Sequence, residues 1–193
     1  MELAALRPGI AAGRMSVSRF SEGHALEDAR LVRAARTGDE EAFGLLYERY
    51  ARVVHGLLLA RVPRIDVDDL VQEVFLTAWD RLNSLRDPAA FGGWLAMIVR
   101  NRAIDFHRRA SEHVDLPEHL TAQDSTCART EALAVLRVVR TLPDAYRETL
   151  VLRLVEGLTG PEIAQRTGLT AASVRVNLHR GMKLLREKLS GGR

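Results

Sequence analysis

LTGPEIAQRTGLTAASVRVNLHRGMKLLREKL, residues 158–189, reads as two short helices with a sharp turn between them. Thr159 followed three residues later by Glu162 is a capping-box pattern, in which each side chain satisfies an orphan amide of the other. Pro161 falls in the first turn, where its missing N–H costs little. Gly168 supplies the left-handed residue that stops the first helix. Leu169 plugs the space between the helices, and Thr170 caps the second. On the second helix Val174, Leu178, Gly181 and Leu185 share one stripe at the 3.6-residue period. Ala172, Val176, His179, Arg180 and Lys183 face the other way, with Ser173 and Arg175 on the flank. The pattern predicts a helix-turn-helix whose second helix presents a small, polar and basic outer face.

From residue 158 to the C-terminus, seven bases (Arg166, Arg175, Arg180, Lys183, Arg186, Lys188 and Arg193) stand against two acids, Glu162 and Glu187. Such a face can hold phosphates, while Ala172 and Ser173 let the helix start approach base edges. The competing reading is an antiparallel helical hairpin with a solvated basic face. The coincidence of capping box, turn glycine, plugging leucine and one-sided charge favours DNA contact.

The whole chain carries a net charge of only +3, so acidic surface elsewhere must balance this module. Its 193 residues suit one large or two small domains. One cysteine, Cys127, excludes an internal disulfide and fits a reducing cytosol. The six histidines are scattered, with no metal-site spacing, and no phosphate-binding glycine loop is present, so neither a metal, a cofactor nor an enzyme is expected. Apolar runs such as residues 53–62 include His55 and Arg61 and are too short to span a bilayer.

Upstream, residues 1–25 are rich in Ala, Gly and Arg and lack the apolar core of a signal peptide. They read as a mobile tail in which Met15 is a second candidate start. A helix is expected over residues 26–37, stopped by Gly38. Asp39 then caps a longer helix with Glu40 and Glu41 in its first turn. Phe43, Leu46, Tyr47, Tyr50, Val53, Val54, Leu57 and Leu58 give it a core-facing stripe, and Pro63 ends it.

Residues 66–82, DVDDLVQEVFLTAWDRL, bury Leu70, Val71, Val74, Phe75, Ala78, Trp79 and Leu82. The opposite face holds Asp69, Gln72, Glu73, Leu76 and Asp80. Asp66, Asp68, Asp69, Glu73 and Asp80 are five acids with no base among residues 66–80, and the first-turn acids can serve as caps. The stripe is either a solvated face or a docking surface for a basic protein; DNA would be repelled. After a loop at residues 83–90 with turn chemistry at Asp87-Pro88, residues 91–110 form another helix. Phe91, Trp94, Leu95, Ile98 and Ile104 can face the core. Arg100, Asn101, Arg102, His107, Arg108 and Arg109 make its second half basic, which suits either the helix dipole or a phosphate track. Residues 111–126 hold four acids, no base and a proline, and read as a flexible acidic linker. Extended, it would reach about 50 Å, so the flanking modules need not touch. Helices follow over residues 128–140, with Leu133, Leu136 and Val139 inward, and from Pro143, with Tyr146, Leu150, Val151 and Leu154 inward and Gly157 as the stop.

In this order the pieces resemble a bacterial sigma factor of the extracytoplasmic-function class, within the sigma-70 family. GDEEAFGLLYERY, DVDDLVQEVFLTAWDRL, FGGWLAMIVRNRAIDFHRR, LPDAYRETLVLRLVEGLT and PEIAQRTGLTAASVRVNLHRGMKLLRE carry the likeness. The resemblance implies an all-α fold of two helical modules joined by the linker. Residues 26–110 would be region 2, residues 111–127 the linker and residues 128–190 region 4. It implies that Asp69, Gln72 and Glu73 meet core RNA polymerase. It also implies that Asn83, Ser84, Arg86, Arg100, Asn101, Arg108 and Arg109 meet the −10 promoter element. Ala172, Ser173, Arg175, Val176, His179, Arg180 and Lys183 would then meet the −35 element. Core polymerase, promoter DNA and an anti-sigma factor are the implied partners, the cytoplasm the implied location, and no membrane insertion or covalent chemistry is expected. Two positions depart from the family's habit: Asn177, where a base is frequent, and Gly181, where alanine is usual and glycine costs about 1 kcal/mol of helix propensity. The rival function is a self-sufficient dimeric helix-turn-helix regulator.

Overall fold

A computed structural model describes the backbone of residues 11–112 and 127–190, with side chains described within 23–111 and 133–190. Eight α-helices and no strand occur among the described residues: α1 Ala11–Arg36, α2 Glu40–Leu59, α3 Val67–Asp80, α4 Phe91–Glu112, α5 Cys127–Arg140, α6 Asp144–Leu154, α7 Gly160–Thr167 and α8 Ala171–Ser190. Short 3-10 turns lie at Arg64–Asp66, Leu82–Ser84 and Pro88–Ala90.

Helices α1 to α4 pack around α2, whose stripe of Leu46, Tyr50, Val53, Val54 and Leu57 is buried. Asp39 accepts a hydrogen bond from the Ala42 amide at 2.9 Å, the N-cap that the sequence called for. Aromatic edges lock α2 to its neighbours. Phe43 meets Trp79 at 4.8 Å and Tyr47 meets Phe75 at 4.5 Å on α3, while Tyr50 meets Phe91 at 5.1 Å on α4. The Tyr50 hydroxyl donates to Asp28 Oδ2 at 2.6 Å, and Arg49 pairs with the same carboxylate, so one buried acid fastens α1 to α2. Burial, and then the Asp28 charge, push the Tyr50 phenol well above its ordinary pKa.

Several expectations are corrected. α1 starts at Ala11, where residues 11–25 were read as tail. A docked segment such as residues 28–36 supplies the nucleus, and each residue added behind it extends the helix without a new nucleation cost. Met1–Ile10 lie outside the described residues, as do 113–126 of the linker. Ile104 is 60% exposed instead of facing the core. The inward stripe of α4 runs through Leu95, Val99, Ala103 and Phe106, and Ile104 lies one residue off it. Leu154 is exposed at the last turn of α6. Asp66 makes no side-chain cap, because the chain enters α3 through the 3-10 turn.

Helices α5 to α8 form the second module, with α6 against α8 and α7 against α8. Gly181 of α8 is buried against α6. A β-carbon there would stand 3.0 Å from Leu150 Cδ1 and 3.2 Å from Tyr146 Cβ, so alanine would regain helix propensity only by pushing these neighbours. The two modules do touch: α4 and α1 lie against α7, and α2 against α6. Loop length sets only how far they can separate; the surfaces described next decide that they meet.

Candidate nucleic-acid interface

The helix-turn-helix forms as its sequence dictates. Thr159 Oγ1 donates to Glu162 Oε2 at 2.7 Å, and the Thr159 amide donates to the same oxygen at 2.8 Å. The Glu162 amide returns a bond to Thr159 Oγ1, closing the capping box. The Thr159 hydroxyl, and then its amide, lower the Glu162 pKa. Gly168 has φ 74°, a left-handed conformation that any side chain would strain. Thr170 Oγ1 accepts from the Ser173 amide at 3.1 Å and starts α8. Val174, Gly181 and Leu185 are buried. Ala172, Ser173, Arg175, Val176, His179, Arg180 and Lys183 are all exposed on the other side. That face is rigid because the opposite one is packed, which is what placing side chains against base edges requires.

A second group surrounds the loop before α4. Asn83, Ser84 and Arg86 are exposed there. Arg36 fixes the loop by donating through Nε and Nη2 to the Leu82 carbonyl at 3.2 and 3.1 Å, and also to that of Leu85. Asp87 Oδ1 accepts from the Ala89 amide at 3.0 Å, the turn chemistry anticipated at Asp87-Pro88. On α4, Asn101, Arg108 and Arg109 are exposed, with Arg108 paired to Asp105 at 3.1 Å. Arg100 is not available: its Nε and Nη2 donate to Glu148 Oε1 and Oε2 at 3.1 and 3.0 Å.

The acidic face of α3 is built by Asp68, Asp69, Gln72, Leu76 and Asp80, all exposed, with Leu76 65% open to solvent. Glu73 departs from the expectation for it. It is only half exposed and forms an ion pair with Arg102 of α4, because α3 and α4 pack side by side and bring that flank of the acidic stripe against the basic half of α4.

The contacts between modules were not foreseen. Glu148, 5% exposed, also accepts from Arg61 Nε and Nη2 at 2.9 and 2.7 Å. Arg61 reaches Asp144 as well, at 2.9 Å. Arg140 donates to the carbonyls of Leu59, the last residue of α2, and of Val62 just past it. Glu156 is held by Arg52 and by His55, whose Nδ1 lies 2.7 Å from Glu156 Oε1. That hydrogen bond raises the His55 pKa, opposed by partial burial and by Arg64 and helped by the charges of Glu156 and Asp68. The stability from this contact is complete below the ordinary histidine pKa of about 6.5 and is lost as pH rises through the raised value. Thermal unfolding scanned from about pH 5.5 to 8.5 should show this loss, and His55→Gln should flatten it. An unaltered slope in that variant would assign the pH dependence to other groups.

No group of three or more His, Cys, Asp or Glu is placed to hold a metal among the described residues, and none of the helices searched is long and apolar enough to cross a membrane.

Residues 46–113 match the family Sigma-70 region 2, and residues 132–185 match Sigma-70, region 4. The ECF RNA polymerase sigma-E factor of Haemophilus influenzae is 30% identical over 181 residues, covering 85% of this chain and 96% of that protein. The sigma-E factor of Escherichia coli K12 is 31% identical over the same length, with 85% and 95% covered. Among solved structures, CnrH in complex with the cytosolic domain of CnrY superposes with a TM-score of 0.61 at 27% identity, over 86% of this chain and 99% of CnrH.

Proposed function

The chain belongs to the sigma-70 family, in its extracytoplasmic-function class, and from that premise we propose how its surfaces divide the work of an alternative sigma factor. It directs core RNA polymerase to particular promoters and assists their melting. The exposed face of α3 docks on polymerase through Asp69 and Gln72. Glu73 contributes less because Arg102 already holds it. Leu76 adds apolar area to the same surface. The α8 face reads the −35 element: Ala172, Ser173 and Val176 approach base edges, Arg175, Arg180 and Lys183 hold phosphates or guanines, and His179 lies between them. The loop at Asn83, Ser84 and Arg86, with Asn101, Arg108 and Arg109 of α4, captures unstacked bases of the −10 element through amide and hydroxyl hydrogen bonds, phosphate contacts and the guanidinium planes. Arg100 joins them once Glu148 releases it. The chain performs no covalent chemistry and acts in the cytoplasm, where polymerase and promoter DNA are. An anti-sigma factor that covers these faces is its regulator.

The observation that carries this reading is that one chain presents an exposed basic face on a helix-turn-helix and an exposed acidic face on a separate module. A self-sufficient dimeric regulator would not be expected to match sigma factors over nearly their whole length. The test is run-off transcription from a genomic fragment library by core polymerase with and without the chain; the same transcripts in both reactions would refute the assignment. Arg180→Ala should weaken binding of the chain to cognate and unrelated duplexes alike and reduce the salt slope by about 0.9. If the slope stays put, Arg180 holds no phosphate.

A further inference from the structure

The loop between α3 and α4 alternates buried and exposed side chains. Leu82 and Leu85 are 3% and 5% exposed, while Asn83, Ser84 and Arg86 face solvent. The two leucines pin the loop to the core, and the polar residues stand off it. The turn between them is closed by the Ser84 amide, which donates to the Arg81 carbonyl at 2.8 Å, and by the Leu85 amide, which donates to the Leu82 carbonyl at 3.3 Å. The Ser84 hydroxyl also donates to the Arg81 carbonyl, at 2.7 Å. The Leu82 and Leu85 carbonyls lie where a helical turn runs out, and such carbonyls have no following amide of the turn to complete their bonding.

Arg36, the last residue of α1, completes it from 46 residues away. Its half-buried guanidinium spans both carbonyls, which a planar fork of N–H groups can do and a single ammonium does poorly. The base that carries it is rigid. Leu31, Val32 and Ala35 of the same helix are buried, and the Thr37 and Gly38 amides close the end of α1 onto the Ala34 and Ala35 carbonyls. α1 also packs on the 3-10 turns at both ends of the loop, Leu82–Ser84 and Pro88–Ala90. Burial of two leucines already keeps the loop on the protein. What Arg36 adds is direction: the Leu82 carbonyl belongs to the peptide that leads into Asn83, and the Leu85 carbonyl to the peptide that leads into Arg86.

We propose that Arg36 is a positioning residue for promoter discrimination: by clamping the Leu82 and Leu85 carbonyls it holds Asn83, Ser84 and Arg86 in the one arrangement that distinguishes the bases of the −10 element. The proposal rests on the −10 reading given above and adds to it a residue that touches no base. Hydrogen bonds to a base edge need fixed directions, whereas contacts to phosphate tolerate adjustment. A loop freed from the clamp must be ordered at the moment of binding, and that cost weakens the contacts that only the right base makes. The cations around the loop are still present, so attraction to the strand persists while the choice among bases fades.

Arg36→Ala and Arg36→Lys test this as full chains, free and with core polymerase. In the free chain, amide hydrogen exchange at Ser84 and Leu85 should quicken about tenfold in Arg36→Ala while the amides of α2 keep their protection. With polymerase, the template is a fragment that the wild-type holoenzyme transcribes, with the bases of its −10 and −35 elements replaced one at a time. Wild-type chain should lose about tenfold in run-off yield for a wrong base, the scale of one mismatch. Arg36→Ala should discriminate less than about threefold at one or more −10 positions and as the wild type does throughout the −35 element, which a general loss of structure would not spare. Arg36→Lys keeps a donor near the carbonyls without the fork, so it should recover part of the −10 discrimination. It is the working probe if alanine does not fold. Wild-type discrimination at −10 in either variant overturns the proposal, as does a parallel loss at −35 or unchanged exchange in Arg36→Ala. A third overturning result is a salt slope lower by about 0.7 when free Arg36→Ala binds a random-sequence single strand, since Arg36 would then hold a phosphate itself. If wild-type holoenzyme transcribes no fragment, the sigma reading fails and takes this role with it; transcription with −10 discrimination intact in the variants sinks the role of Arg36 alone.

Discussion

Asp69→Lys is expected to give a chain that melts at the wild-type temperature, fails to co-purify with core RNA polymerase and yields no run-off transcript. Asp69 is exposed in the first turn of α3. Reversing its charge leaves no cavity, so the effect on folding should stay within about 0.5 kcal/mol apart from a small helix-dipole term. Against a basic surface that is desolvated on docking, the same reversal costs on the order of 2–5 kcal/mol, roughly 30- to several thousand-fold in affinity. Glu73→Lys is a poorer probe. It breaks the ion pair with Arg102 and sets two cations side by side, so a loss of polymerase binding there would mix docking with packing. Polymerase retained by Asp69→Lys at wild-type levels would take this face out of the interface.

The largest effect on stability is expected at Asp28. Asp28→Ala removes the one buried acceptor shared by the Tyr50 hydroxyl and Arg49, leaving a phenol and a partly buried guanidinium without it. Breaking a buried pair from one side costs about 3–5 kcal/mol, and the change also undoes the link from α1 to α2. Thermal unfolding should fall by roughly 10 °C, given about 2–4 °C per kcal/mol for a chain of this size. Tyr50→Phe, which removes the donor and leaves Arg49 on the carboxylate, should cost clearly less. Equal losses from the two changes would mean that Arg49, not the phenol, contributes nothing to holding Asp28.

What the sequence made legible was local. The capping box at Thr159 and Glu162, the left-handed Gly168, the Asp39 cap and the stripes of α2, α3 and α8 each depend on residues within a turn or two of one another. The exposed face of α8 followed from its buried one. The ion pairs of Glu73 and Arg100 were not foreseen for one reason: their partners, Arg102 and Glu148, lie 29 and 48 positions away, and periodicity on a single helix carries no information about them. Ile104 was misplaced because a stripe through Trp94, Leu95 and Ile98 extrapolates nearly as well as the true one through Val99, Ala103 and Phe106. One signal of the module contact was present. Thr149, Leu150, Val151 and Leu152 run on without an outward polar residue, and a helix that is apolar all round is covered on all sides. The glycines at 56 and 92, costly in helices, were a second.

Helix α6 is covered around its whole girth from Glu148 to Leu152, one side by α8 and the other by α2. It therefore belongs to the cores of both modules at once. A chain built so loses its tertiary structure in one cooperative event while closed, since neither half can melt without stripping the helix that the other leans on. Were the modules parted, the same chain would become two smaller cooperative units, each with fewer buried groups than it has in company. The closed chain is thus the sturdier form, and a parted one would be more open to proteases and to exchange of its amides.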